Sequence, residues 1–229
     1  MTSALEYRDV SVHYGNAADA VIHSLSLDIE PGERVALLGL NGSGKTSLLL
    51  ATVGLIPFDG TIAVNGTKLE KTTVRIVRSN VGFLFSVPED QLLFPNVLDD
   101  VSFGAIRAGL TKSEARERAL QVMTELGVAD LANVPLHRLS HGQKQRIALA
   151  GSLVTNPPLL LLDEPSAGLD PPAKRQLAKF LSLSSAAQLI ATHDIVFASR
   201  VCRRYVLLEQ GRIRLDGKGF EEIANGFGR

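Results

Sequence analysis

Gly39-Leu40-Asn41-Gly42-Ser43-Gly44-Lys45-Thr46 carries the spacing G-x-x-x-x-G-K-[ST]. Glycines at these positions let the backbone curl until successive N–H groups converge on phosphate oxygens. A helix that follows offers its positive end to the same anion. Lys45 is placed to hold the β- and γ-phosphates, and the Thr46 hydroxyl to ligate Mg²⁺. From average composition, fixed positions of this kind arise by chance in about 1 in 100 chains of this length, so the flanks must decide. Upstream, Arg34-Val35-Ala36-Leu37-Leu38 is a continuous apolar strand suited to burial on both faces. Downstream, Thr46 to Val53 reads as helix. With strand, loop and helix in this order, Gly39, Asn41, Gly42, Ser43, Gly44, Lys45, Thr46 and Ser47 are the expected nucleotide contacts.

On the amino-terminal side the pattern is one of strands. Val10, Val12 and Tyr14 alternate, as do Leu25, Leu27 and Ile29. Thr61-Ile62-Ala63-Val64 runs into Asn65-Gly66, which supplies both positive-φ positions of a type I′ hairpin turn. The middle is helical. Thr111-Lys112-Ser113-Glu114 resembles a capping box, and Ala115, Ala119, Val122, Met123 and Leu126 follow at helical spacing up to a stop at Gly127. A second helix is expected from Ser140 to about Thr155, ended before Pro157-Pro158. Strands and helices then alternate: Leu159–Leu162, Ala173–Leu181, Gln188–Ala191, Asp194–Val201 and Arg204–Leu208. The order implies one domain over 1–229 with a helical insertion at roughly 88–156.

Leu159-Leu160-Leu161-Leu162-Asp163-Glu164 is a buried strand ending in two acids. Ligands of doubly wound sheets gather at the carboxyl ends of strands. Asp163 is placed to hold Mg²⁺ through its water shell, and Glu164 to polarise an attacking water as general base. Leu139-Ser140-His141-Gly142-Gln143 opens a helix whose amides, with Ser140 and Gly142, form a second anion site. One chain would then carry two phosphate-binding surfaces but a single phosphate loop.

The totals agree with this local reading. The chain has 229 residues, enough for one sizeable core, and Lys+Arg (24) balance Asp+Glu (24). A net charge of zero gives no footprint for nucleic acid or an anionic membrane. Cys202 is the only cysteine, so no internal disulfide forms and a reducing compartment fits. The start lacks a signal-peptide pattern, and the longest uncharged stretch, Ile147 to Leu162, is shorter than a membrane span.

Together these motifs resemble the ATP-binding subunits of ABC transporters over essentially the whole chain. Gly39–Thr46 matches the Walker A loop, Leu139–Gln143 the signature LSGGQ, and Leu159–Glu164 Walker B with its catalytic glutamate. Ser166-Ala167-Gly168-Leu169-Asp170 resembles the D-loop, His193 the switch histidine, and Tyr14 the aromatic ring that stacks on adenine. The resemblance implies an ATP-hydrolysing homodimer, or a pair of ATPase paralogues, sandwiching two ATPs with Mg²⁺. Lys45 of one subunit and Ser140 with Gly142 of the other would grip one γ-phosphate, with His141 and Gln143 also among the expected nucleotide contacts. His193 would contact that phosphate, and Asp170 would cross the seam. The implied place of work is the cytoplasmic face of the membrane, bound to integral transporter subunits.

Val81 to Leu92, followed by Asp100-Val101-Ser102-Phe103-Gly104, resembles the energy-coupling-factor group, which imports vitamins, cobalt or nickel; His141 is familiar among its cobalt and nickel members. In that group the segment from Ser86 to Leu92 receives a coupling helix, so Glu89 and Asp90 are candidates to meet arginines there. Two departures stand out. Ser86 replaces the Q-loop glutamine that approaches Mg²⁺, and can act only through an added water; Gln91 is a separate motif position. His141 replaces a signature glycine. A soluble ABC protein of DNA repair or translation would carry a long coiled-coil insertion or two ATPase units, and a GTPase would carry N-K-x-D. Neither feature is present.

Overall fold

The alternation of side chains along the central strands sets the layers. The computed structural model describes residues 2–14 and 20–219. In chain order the strands and helices are β1 (Leu5–Val12), β2 (Ile22–Ile29), β3 (Arg34–Leu38), α1 (Lys45–Thr52), β4 (Phe58–Val64) and β5 (Thr67–Lys68). Then come α2 (Val74–Ser79), β6 (Val81–Leu84), α3 (Val97–Arg107), α4 (Lys112–Glu125) and α5 (His141–Leu153). The chain closes with β7 (Leu159–Asp163), α6 (Pro171–Leu183), β8 (Ala187–Thr192), α7 (Ile195–Val201), β9 (Arg204–Glu209) and β10 (Arg212–Gly217).

One sheet has the order β10-β9-β3-β8-β7-β6 and the other β2-β1-β4-β5. In the larger sheet β9, β3, β8, β7 and β6 are parallel, and β10 is an antiparallel edge. Ala36, Leu38, Leu160, Leu162 and Ile190 face a helical core with Val101, Met123, Ile147 and Phe197. Their neighbours Val35, Leu37, Leu159, Leu161 and Leu189 face a second core, shared with Leu5, Tyr7, Ile29 and Ile62 of the antiparallel sheet and Leu48 of α1. Strands buried on both faces must be apolar throughout, which is why β3 and β7 are unbroken hydrophobic runs. The result is the α/β architecture that the motif order implies, with an antiparallel β layer and a helical layer on opposite faces of a parallel sheet.

Local signals held where chemistry is strong. Asn65 and Gly66 take φ of 46° and 75°, as the hairpin requires. Thr111 and Ser140 both cap their helices in full capping boxes, with Glu114 and Gln143 closing them. Weak signals failed. Strand β1 ends at Val12, so Tyr14 is not a strand residue. Elements α2, β6 and α3 lie where periodicity suggested none. β6 has only four residues, one of them Gly82, and α3 leaves Phe103 and Ile106 exposed, which blurs an amphipathic pattern.

Candidate functional site

Strand order brings the chemistry together. β3, β8, β7 and β6 are consecutive parallel neighbours, so the segments leaving their carboxyl ends emerge at one edge of the sheet. These segments carry Gly39 onward, Thr192-His193, Asp163-Glu164 and Ser86 respectively. A cavity of about 370 Å³ lies there, lined by Asn41 to Ser47 with Val21, Ser86, Asp163 and Glu164.

Two glycines make the loop possible. A Cβ on Gly39 would fall 2.4 Å from the Leu208 carbonyl and 2.5 Å from Ser43 Oγ. Gly44, the residue that opens α1, sits at φ +103° against Ile22. The amides that start α1 have no helical partner and could receive an anion. Lys45 is buried, and its Nζ donates to the carbonyls of Gly39 at 2.7 Å and Leu40 at 3.1 Å. Burial holds its pKa below the usual lysine range, while Glu164 and Asp163 pull the other way.

Thr46 Oγ1 donates to Asp163 Oδ2 at 2.7 Å. The Asp163 carboxyl is pushed above the ordinary aspartate range, chiefly by burial, with the Thr46 bond opposing; Ser86 also reaches this carboxyl. Asp163 Oδ1 and Ser43 Oγ are buried without a hydrogen-bond partner. Among the described residues no cluster of three or more His, Cys, Asp or Glu could hold a metal by itself. One carboxylate and one hydroxyl instead suit a hard cation that takes its other ligands from phosphate and water. The donor set therefore fits Mg²⁺ delivered with a nucleotide.

Glu164 is held from several sides. Its backbone is left-handed, φ +48°, a conformation that costs a non-glycine residue about 1–3 kcal/mol. Thr192 Oγ1 donates to Oε2 at 2.9 Å, and His193 N donates to Oε1 at 3.1 Å. His193 Nδ1 also lies 2.8 Å from Oε1. The contact is a hydrogen bond in the tautomer that carries its proton on Nδ1, because a carboxylate only accepts. Sequence reading missed Thr192; nothing local marks a strand-end threonine as a partner of Glu164.

The remaining expected residues fall elsewhere. Tyr14 is half exposed, and its hydroxyl shares a 3.0 Å hydrogen bond with Ser47 Oγ, at the margin of the cavity. Ser140, His141, Gly142 and Gln143 do not line the cavity. They head α5 on the surface, where the His141 ring closes on Gly168. Asp170 is exposed too, and its Oδ1 accepts from Ala173 N at 2.8 Å as the cap of α6. Glu89 is not an unengaged acid: its Oε1 accepts from Lys144 Nζ at 2.7 Å, whereas Asp90 is exposed. Gln91 turns away from the cavity, receiving Phe85 N at 3.2 Å and donating to the Ala148 carbonyl at 2.7 Å.

A phosphate cradle and a clamped carboxylate converging at the edge of a parallel sheet define a phosphate-loop nucleotide hydrolase. Residues 22–167 match the profile of the ABC transporter family, and the chain belongs to that family. It is similar to the energy-coupling factor transporter ATP-binding protein EcfA of Methanosphaera stadtmanae, with 37% identity over 85% of this chain and 72% of that protein. Among solved structures it resembles cbiO1 of Clostridium perfringens, part of the ABC transporter complex cbiONQ: TM-score 0.85 and 32% identity over 99% of this chain and 92% of that one. A dimeric post-hydrolysis state of the cassette MJ0796 bound to ADP and Pi superposes with TM-score 0.85 and 26% identity, covering 93% of this chain and 98% of that one. The chain is an ATP-binding, ATP-hydrolysing cassette of a transporter.

Proposed function

We propose that this cassette energises an energy-coupling-factor-type importer of cobalt or nickel ions, working as a head-to-tail pair peripheral to the cytoplasmic face of the membrane. The observation that carries the pairing is the separation of the two anion-binding surfaces: the phosphate cavity excludes Ser140–Gln143 of the same chain. A second copy, or a paralogue, supplies the missing wall. The likeness to EcfA and to cbiO1 supports the transporter type, and His141 in the signature motivates the metal cargo.

In this reading Lys45 and the amides from Gly42 to Ser47 bind the triphosphate, and the Tyr14 ring stacks on adenine. Ser140, His141, Gly142 and Gln143 of the other copy close on the terminal phosphate, while Asp170 meets its counterpart across the seam. Glu164 takes a proton from the attacking water as its oxygen bonds to the γ-phosphorus; the bond to the bridging oxygen breaks and ADP leaves with that electron pair. His193 holds Glu164 and the γ-phosphate in register. Thr46 and Asp163, with Ser86 beside them, would hold Mg²⁺, which would supply neutralisation of the triphosphate's charge. Helices between about 88 and 156 form the subdomain that carries the signature to the partner.

Membrane subunits dock beside Ser86 to Leu92. A groove of about 750 Å³ opens there between β6 and the helical layer, walled by Phe83, Phe85, Gln91, Arg75 and Arg107. Replacing Glu89 and Asp90 together by Ala is expected to weaken capture of the membrane subunit several-fold, by loss of charge at the rim of the interface, with ATP affinity unchanged. Intact capture in a pull-down removes the acids from the docking surface. Ser86→Gln is expected to raise basal ATP turnover about tenfold, the worth of one well-made hydrogen bond, and to reduce stimulation by the membrane partner. Equal rates for both proteins, alone and in complex, would refute that role.

The reading as a whole is tested by co-expression with candidate membrane subunits, reconstitution into vesicles and ATP-driven uptake of radioactive cobalt or nickel. Uptake of biotin or another vitamin instead would reassign the cargo. Failure of any membrane subunit to co-purify would end the energy-coupling-factor importer assignment.

A further inference from the structure

Helix α5 touches the catalytic segment of its own chain at three points. Near its start, a Cβ on Gly142 would lie 3.0 Å from the Gly168 carbonyl, and the His141 ring meets Gly168. One turn further in, Gln145 is 1% exposed, and its Nε2 donates to the carbonyl of Glu164 at 3.2 Å. Gln145 Oε1 is buried without a partner. An amide with an unsatisfied oxygen is a poor packing residue beside an apolar alternative, so the bond to Glu164 needs an account beyond filling space.

The position of that bond supplies one. Because Glu164 sits at φ +48°, the direction of its carboxylate depends on what clamps its peptide groups. Glu164 N donates to the Ala191 carbonyl at 2.8 Å, and Ala167 N donates to the Glu164 carbonyl at 3.0 Å. Ala191 belongs to β8 and Ala167 to the turn that follows β7. Gln145 alone in this clamp comes from the helix headed by Ser140. The α5 helix is thirteen residues of continuous hydrogen bonding, so a displacement of its first turn is transmitted to Gln145.

We propose that Gln145 is a positioning residue. It ties the general base of one nucleotide site to the helix that grips the nucleotide of the other site, so that closure on one ATP aligns Glu164 for the second. This rests on the paired-site reading above. His141 strengthens the tie, because its ring bears on the segment that follows Glu164 where a glycine would leave a gap.

Mixed dimers of the full chain test the idea. One protomer carries Glu164→Gln, so turnover comes only from the site that uses the other protomer's Glu164. Gln145→Leu on the protomer with intact Glu164 is expected to lower kcat about 10- to 100-fold, the cost of a misaligned base, with KM for ATP and ATP-driven dimerisation preserved. The same change on the Glu164→Gln protomer perturbs the helix that faces the active nucleotide, and is expected to cost only a small part of that loss. Equal losses from both placements would mean helix packing rather than positioning, and no loss from the first placement would also overturn the proposal. Gln145→Met, unbranched and of similar length, gives the same contrast if the leucine variant melts early. A Glu164→Gln chain that stays monomeric with ATP sinks the paired reading and this inference with it; a dimer without the placement contrast sinks only this inference.

Discussion

Glu164→Gln is expected to abolish steady-state ATP turnover, lowering kcat by about 10²–10⁴-fold, while ATP binding is retained and an ATP-bound dimer accumulates. The substitution keeps size and one acceptor oxygen, so Thr192 Oγ1 can still donate and the left-handed turn keeps its clamp. What it removes is the ability to take up a proton. The Oε1 position that now receives His193 N and Nδ1 would lose part of that pairing, since an amide nitrogen cannot accept. Binding should survive because the cradle of Asn41–Ser47 is untouched. With hydrolysis blocked, the proposed phosphate cross-link between two protomers should persist, and light scattering should report twice the monomer mass only with ATP present. Turnover within tenfold of wild type would remove Glu164 as base.

Lys45→Ala is expected to weaken ATP binding by about 2–5 kcal/mol, roughly thirty-fold to several thousand-fold, through loss of the charge that faces the phosphates. Turnover should fall with it. Nucleotide-free stability should hardly change. The ammonium is buried, its pKa is lowered by desolvation, and among the described residues it bonds the carbonyls of Gly39 and Leu40. Removing a desolvated charge restores its own hydration cost, which offsets the loss of its two bonds to backbone carbonyls. The two expectations separate in a thermal melt. Wild type should gain Tm with ATP by mass action, whereas the variant should show the same starting Tm and little gain. A variant that keeps the wild-type ATP shift would refute the role of Lys45.

Much of the site could be read from residue order because its parts are local. The G-x-x-x-x-G-K-[ST] spacing, the acids at the end of an apolar strand and the Ser140–Gln143 capping box each need only a few consecutive residues. The hairpin at Asn65-Gly66 was equally plain, since its positive φ values are a property of two residues. By contrast β6 and α3 were hidden, because a four-residue strand and a helix with exposed Phe103 and Ile106 carry little periodicity. The pairing of Glu89 with Lys144 was hidden for another reason. It joins residues fifty-five apart whose meeting depends on how α5 packs.

From residue order alone came the phosphate loop, the acid pair, the serine-headed helix and, through them, the family. Those are matters of short-range spacing and backbone preference. Tertiary structure alone decided that β3, β8, β7 and β6 lie side by side, that Thr192 and His193 close on Glu164, and that the cavity excludes Ser140–Gln143. It also decided that Gln145 reaches the Glu164 carbonyl. Local periodicity says which face of an element is apolar, but not which neighbour covers it. That choice is made by burying both faces of the central strands at once, and it places distant side chains within hydrogen-bond reach.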